Sequence, residues 1–167
     1  MSSPAIAWID GAVLAVHLFS AVLFIGGSFF MWLVIDPVSR RLGFDEAART
    51  RLVGRIAGGF GRLSTALLVI LIATGLFNAS WYLPSWTDPW ATLPGRLLVV
   101  KAVLVAVLVA LVYVHGLYFG RRISRLAREG QVDALRDLRR KSRVVAYANL
   151  GLMLAILGFA VSLQMVA

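Results

Sequence analysis

The chain has no cysteine, so a disulfide framework, a thiolate metal centre and thiol redox chemistry are all excluded. Any metal chemistry falls to His, Met, carboxylate or carbonyl ligands, and the sequence holds only two histidines and four methionines. Acidic residues are scarce as well, eight Asp and Glu against seventeen Lys and Arg. None of the eight lies inside an apolar run, since Asp10 and Asp36 stand at the ends of the first one and the rest are in polar connections. That absence argues against a proton pump or cation conductor, which needs an acidic relay at membrane depth. There is no internal repeat and no low-complexity linker, and residues 1–167 read as a single domain.

What the sequence does have is apolar length. Of its 167 residues 60% are hydrophobic, with a mean hydropathy of +0.84, which is too much apolar surface for a water-soluble domain and enough for several membrane spans. The expected fold is all-α, an integral membrane four-helix bundle with spans at about 11–35, 63–83, 94–119 and 144–166. The opening Met1-Ser-Ser-Pro lacks a basic n-region and the first apolar run is long for a signal peptide, so it reads as a retained span. Asp45-Glu46 opens a short polar helix to about Arg55, and Gly58-Gly59-Phe60-Gly61 reads as a hinge into the second span. Trp81, Tyr82, Trp86 and Trp90, among Pro84, Pro89 and Pro94, form an interfacial aromatic belt. Arg121–Arg143 reads as an amphipathic helix broken near Gly130.

The basic residues set the expected orientation. Fifteen of the seventeen Lys and Arg fall in the connections 36–62 and 120–143, leaving Arg96 and Lys101 for the other side. By the positive-inside rule both connections, with their short amphipathic helices, lie in the cytoplasm. Both termini are then outside an inner (plasma) membrane. The +9 charge is a topology signal, and nucleic acid is not an expected partner; the bilayer is.

An ionisable side chain inside a span costs roughly 2.5–3.5 kcal/mol on insertion scales, so each one is a functional candidate. There are three: His17, Lys101 and His115. His17 and Lys101 lie at similar depths in the first and third spans, near the outer surface. His115 follows Lys101 by fourteen residues, on nearly the same helix face and about 21 Å deeper. On the first span His17, Phe24, Ser28 and Met31 share a face, which places Met31 at the inner level. Thr74, Asn78 and Gln164 join the outer level, and Asn149 and Met153 the inner one. Two stacked polar pockets are expected, and the two histidines are too far apart in depth to ligate one haem together. Gly26, Gly27, Gly75, Gly151 and Gly158 allow close helix approach elsewhere.

The run His17-Leu-Phe-Ser-Ala-Val-Leu-Phe-Ile-Gly-Gly, with Gly61-Arg62-Leu63, Thr74-Gly75-Leu76 and Thr92-Leu-Pro-Gly-Arg-Leu-Leu-Val-Val-Lys101, resembles the copper resistance protein D (CopD) domain. It is also similar to HemJ-type protoporphyrinogen oxidases, in which a first-span histidine and a third-span lysine are functional. That resemblance covers most of residues 10–165. It implies His17 as a haem-associated ligand and Lys101 as the functional lysine, and the spacing to His115 and the Asn149-Leu150 opening of the fourth span fit the same pattern.

The first functional expectation is therefore a haem b protein in redox chemistry, an electron-transfer subunit or a quinone-linked porphyrinogen oxidoreductase. In it His17, His115, Met31, Met153, Asn78 and Asn149 bind the cofactor and Lys101 steers an anionic group of a quinone or porphyrin. The second is CopD-like copper transport or handling along His17, Met31, His115 and Met153. The third is a non-catalytic assembly subunit of a larger membrane complex or a homo-oligomer.

Overall fold

The computed structural model describes residues 4–81, 83 and 87–166. Tyr82, Pro84, Trp86 and the side chain of Gln164 lie outside the described parts. Four long helices account for most of the described residues. The first is α-helical over Pro4–Phe30, widens to π geometry over Met31–Ile35 and continues over Asp36–Arg41. The second spans Glu46–Ala79. The third runs through Leu93–Tyr113, a π segment Val114–Gly120 and Arg121–Arg128, and the fourth through Val132–Val166. All four are long and apolar enough to cross a membrane. Val69, Leu76, Val103 and Val161 are each more than half exposed, a pattern a lipid solvent explains and water does not. The protein is a multi-pass membrane protein.

Local chemistry sets the helix ends. Asp45 caps the second helix by accepting from the Ala48 N–H at 2.5 Å, and Thr92 caps the third by accepting from the Gly95 N–H at 3.2 Å. Gly130, at φ +70°, stops the third helix in the left-handed conformation, and the Gln131 N–H reaches back to the Leu126 carbonyl at 3.1 Å.

The hinge expectation is corrected. Gly58-Gly59-Phe60-Gly61 is no hinge: the helix continues through it and ends at Ala79. Phe60 packs its ring against Gly27 of the first helix, where a Cβ would collide with it, so this stretch is a helix–helix contact. The short amphipathic segments are helical as expected, with the break at Gly130, and they run on directly from the long helices. Asp36–Arg41 and Arg121–Arg128 extend the first and third, Glu46–Arg55 opens the second, and the fourth starts at Val132, twelve residues before the apolar run at Val144.

These extensions carry a core of their own. Phe119, Leu126, Leu135 and Leu138 pack together with Ile123, Ala127 and Val145 at the arginine-rich end. Arg139 of the fourth helix bonds Glu46 and Thr50 of the second, and Arg49 reaches Asp36 of the first at 3.1 Å. Three helices are thereby tied by one ionic chain. Deeper in the bundle, every helix contributes to one cluster: Phe24, then Leu67 and Leu68, then Leu108, then Leu150 and Met153. The first helix packs chiefly on the second and the third on the fourth, and Trp32 meets Tyr147 edge-on with centroids 5.0 Å apart.

Candidate functional site

The central cluster fixes what lies above and below it. Seven residues nearly complete two turns, so a step of seven along a helix keeps the face and moves about 10.5 Å along the axis. Toward the tryptophan-rich end, Phe24 leads to His17, Leu67 to Thr74, Leu68 to Gly75 and Leu108 to Lys101. Three polar residues and a glycine from three helices thus arrive at one level.

The contacts there are direct. His17 Nδ1 and Thr74 Oγ1 lie 2.7 Å apart. The Thr74 hydroxyl donates its single proton to the Ile70 carbonyl at 2.6 Å, one turn back on its own helix. It therefore accepts from the histidine, which places the imidazole proton on Nδ1 and leaves the lone pair on Nε2. Gly75 lies against the same edge of the ring: a Cβ at that position would stand 3.3 Å from His17 Cε1. Lys101 stands at the same level on the third helix by the step of seven. Asn78, one turn beyond Thr74, is buried with its Oδ1 unpartnered.

In the other direction the same step takes Phe24 to Met31 and Leu108 to His115. Met31 is the first residue of one π segment and His115 the second of the other. Such single π turns inside α-helices recur at functional sites. His115 Nδ1 is buried without a hydrogen-bond partner, and its ring lies 6.1 Å from that of Phe119. Asn149 Oδ1 is likewise buried and unpartnered. Ser28 satisfies its hydroxyl on the Phe24 carbonyl at 2.7 Å. Met153 sits in the central cluster, 3% exposed, between the two polar levels. Among the described residues no three of His, Cys, Asp and Glu converge.

Counting along the sequence gives the common level of His17, Thr74 and Lys101, but it does not show that Thr74 holds the ring or that Gly75 is the wall beside it. The Thr92-Leu-Pro-Gly-Arg run has a structural task. Thr92 caps the helix, Gly95 lies where a Cβ would strike the Pro89 carbonyl, and Arg96 Nε donates to the Trp90 carbonyl at 3.0 Å. The run thereby ties the tryptophan-rich connection to the third helix, which carries Lys101.

The family model of copper resistance protein D matches residues 54–163. The chain belongs to the CopD family. The matched segment holds Thr74, Asn78, Lys101, His115, Asn149 and Met153 of this CopD chain, and the first helix with His17 and Met31 precedes it. No curated protein and no solved structure matches the chain.

Proposed function

We propose that this CopD-family protein handles copper within the membrane, with His17 Nε2 as its ligand at the tryptophan-rich level. The observation that carries this reading is the 2.7 Å contact of His17 Nδ1 with Thr74 Oγ1, whose hydroxyl also reaches the Ile70 carbonyl; the tautomer with its proton on Nδ1 suits this contact and leaves Nε2 as the donor. Imidazole suits copper in both oxidation states, and thioether sulfur suits Cu(I). Below His17, Met153 offers a buried sulfur about two turns deeper, and Met31 and His115 stand a similar step beyond. These side chains form stations along the bundle axis for a copper ion passing between the two ends. In the orientation we infer from the positive-inside rule, the arginine-rich end is cytoplasmic and the protein sits in the plasma membrane.

Haem b, the other group expected from the sequence, finds less support. Two open cavities lie at the arginine-rich end, around Arg51 and Arg55 and around Glu46 and Leu126, and neither touches His17. His17 is instead packed against Thr74 and Gly75 of the second helix. A single copper ion fits beside such a ring without a macrocycle-sized slot.

Proteoliposomes loaded with a Cu(I) chelator dye test the proposal. Wild-type protein is expected to raise copper entry over empty vesicles, and His17→Ala and His115→Ala to abolish or strongly reduce that rise. Equal entry with wild type and with both variants would remove these residues from any copper path.

A further inference from the structure

Lys101 is a cation in a membrane span, and its ammonium has no hydrogen bond or ion pair among the described residues. The carboxylates are engaged or distant. Asp36 and Glu46 are held by Arg40, Arg49 and Arg139 at the far end of the bundle. Asp88 accepts from the Trp90 N–H. Asp10, on the His17 face, is two further turns out, about 10 Å along the axis. Lys101 shares the His17 level by the step of seven from Leu108 and Phe24. A bare copper ion arriving at His17 Nε2 meets a like charge in a medium that screens it poorly. A copper ion that brings an anion does not, because the anion remains bound to copper while accepting from the ammonium.

Resting on the copper reading of His17, we propose that Lys101 is an anion subsite and that the outer level takes copper together with a small ligating anion of the halide or carboxylate class. His17 Nε2 donates its lone pair to the metal, Lys101 Nζ donates a hydrogen bond to the metal's co-ligand, and no electron or covalent bond is exchanged. The arrangement selects against uncomplexed cations by repulsion and favours a neutral or anionic copper complex. Anion and copper then bind with positive coupling, each raising the affinity of the other by the same factor.

The test is Cu(I) occupancy of the detergent-purified protein, by competition with bicinchoninate, in chloride, acetate and sulfate buffers of equal ionic strength. Wild type is compared with Lys101→Leu and Lys101→Arg under each condition, so that the effect of the anion on free copper cancels and no new thioether ligand is introduced. Relative to Lys101→Leu, wild type is expected to gain about tenfold in affinity in chloride or acetate over sulfate, with Lys101→Arg keeping most of the gain. The arm with the larger gain identifies the anion as halide or carboxylate. An identical anion response in wild type and Lys101→Leu would overturn the proposal. Broadening of the ³⁵Cl resonance by copper-free protein separates the two readings. Broadening that survives His17→Ala and disappears in Lys101→Leu supports the anion subsite even if copper binding fails, whereas no Lys101-dependent broadening together with copper binding at His17 removes the subsite alone.

Discussion

Thr74 Oγ1 stands 2.7 Å from His17 Nδ1 while its own proton is directed at the Ile70 carbonyl, 2.6 Å away. The second helix thereby fixes which nitrogen of a first-helix histidine is left to act. A partner that orients a ligating imidazole typically influences metal affinity by 10–100-fold. Thr74→Val, which keeps the shape and removes the hydroxyl, is expected to weaken Cu(I) binding by about that factor. Thr74→Ser keeps the oxygen and should stay within a few-fold of wild type. Equal affinities for Val and Ser would show that the hydroxyl does not position the ring.

Gly75 and Gly27 are expected to respond differently to the same added methyl. At Gly75 a Cβ stands 3.3 Å from His17 Cε1, so Gly75→Ala presses on the imidazole and should lower copper affinity more than stability. At Gly27 a Cβ meets the Phe60 ring between the first two helices. Gly27→Ala should lower stability in detergent by about 1–3 kcal/mol, and a smaller residue at Phe60 should restore part of it. Thermal unfolding and copper titration of both variants separate the two effects.

Met153 distinguishes packing from chemistry. It is buried among Phe24, Leu108 and Leu150, so Met153→Leu preserves volume and should cost less than about 1.5 kcal/mol. If its sulfur is a station for Cu(I), vesicle copper entry falls in Met153→Leu while the melting temperature barely moves. Unchanged entry would leave Met153 as core only.

The existence of four spans was legible because each apolar run is long and uninterrupted by acids. Their ends were not. Arginines interleave with Ile123, Leu126, Leu135 and Leu138, so the amphipathic helix and its break at Gly130 were legible, while its merging with the third and fourth spans around a separate apolar core was not. Gly58–Gly61 reads as a hinge because glycine is a poor helix former, but the close approach of Gly27 and Phe60 outweighs that propensity. At the site, a count of residues gives the shared level of His17, Thr74 and Lys101. The contact between His17 and Thr74 and the π turn that holds His115 have no sequence signature.

The arginine-rich clasp is expected to contribute modestly. Glu46 and Arg139 are partly exposed, so Glu46→Gln should reduce stability by no more than about 1 kcal/mol, less at high salt. Melting temperatures of wild type and variant measured at low and high ionic strength check this, and a loss insensitive to salt would point to packing instead.

The central claim is that His17 Nε2 binds copper, and Cu(I) titration of detergent-purified wild type against His17→Ala tests it most directly. The account predicts one high-affinity Cu(I) at the tryptophan-rich level that is lost in His17→Ala while the fold, read by helical circular dichroism, is unchanged. Equal binding by wild type and variant, or none by either, would contradict it, and absence of binding in both would favour an assembly role for the bundle.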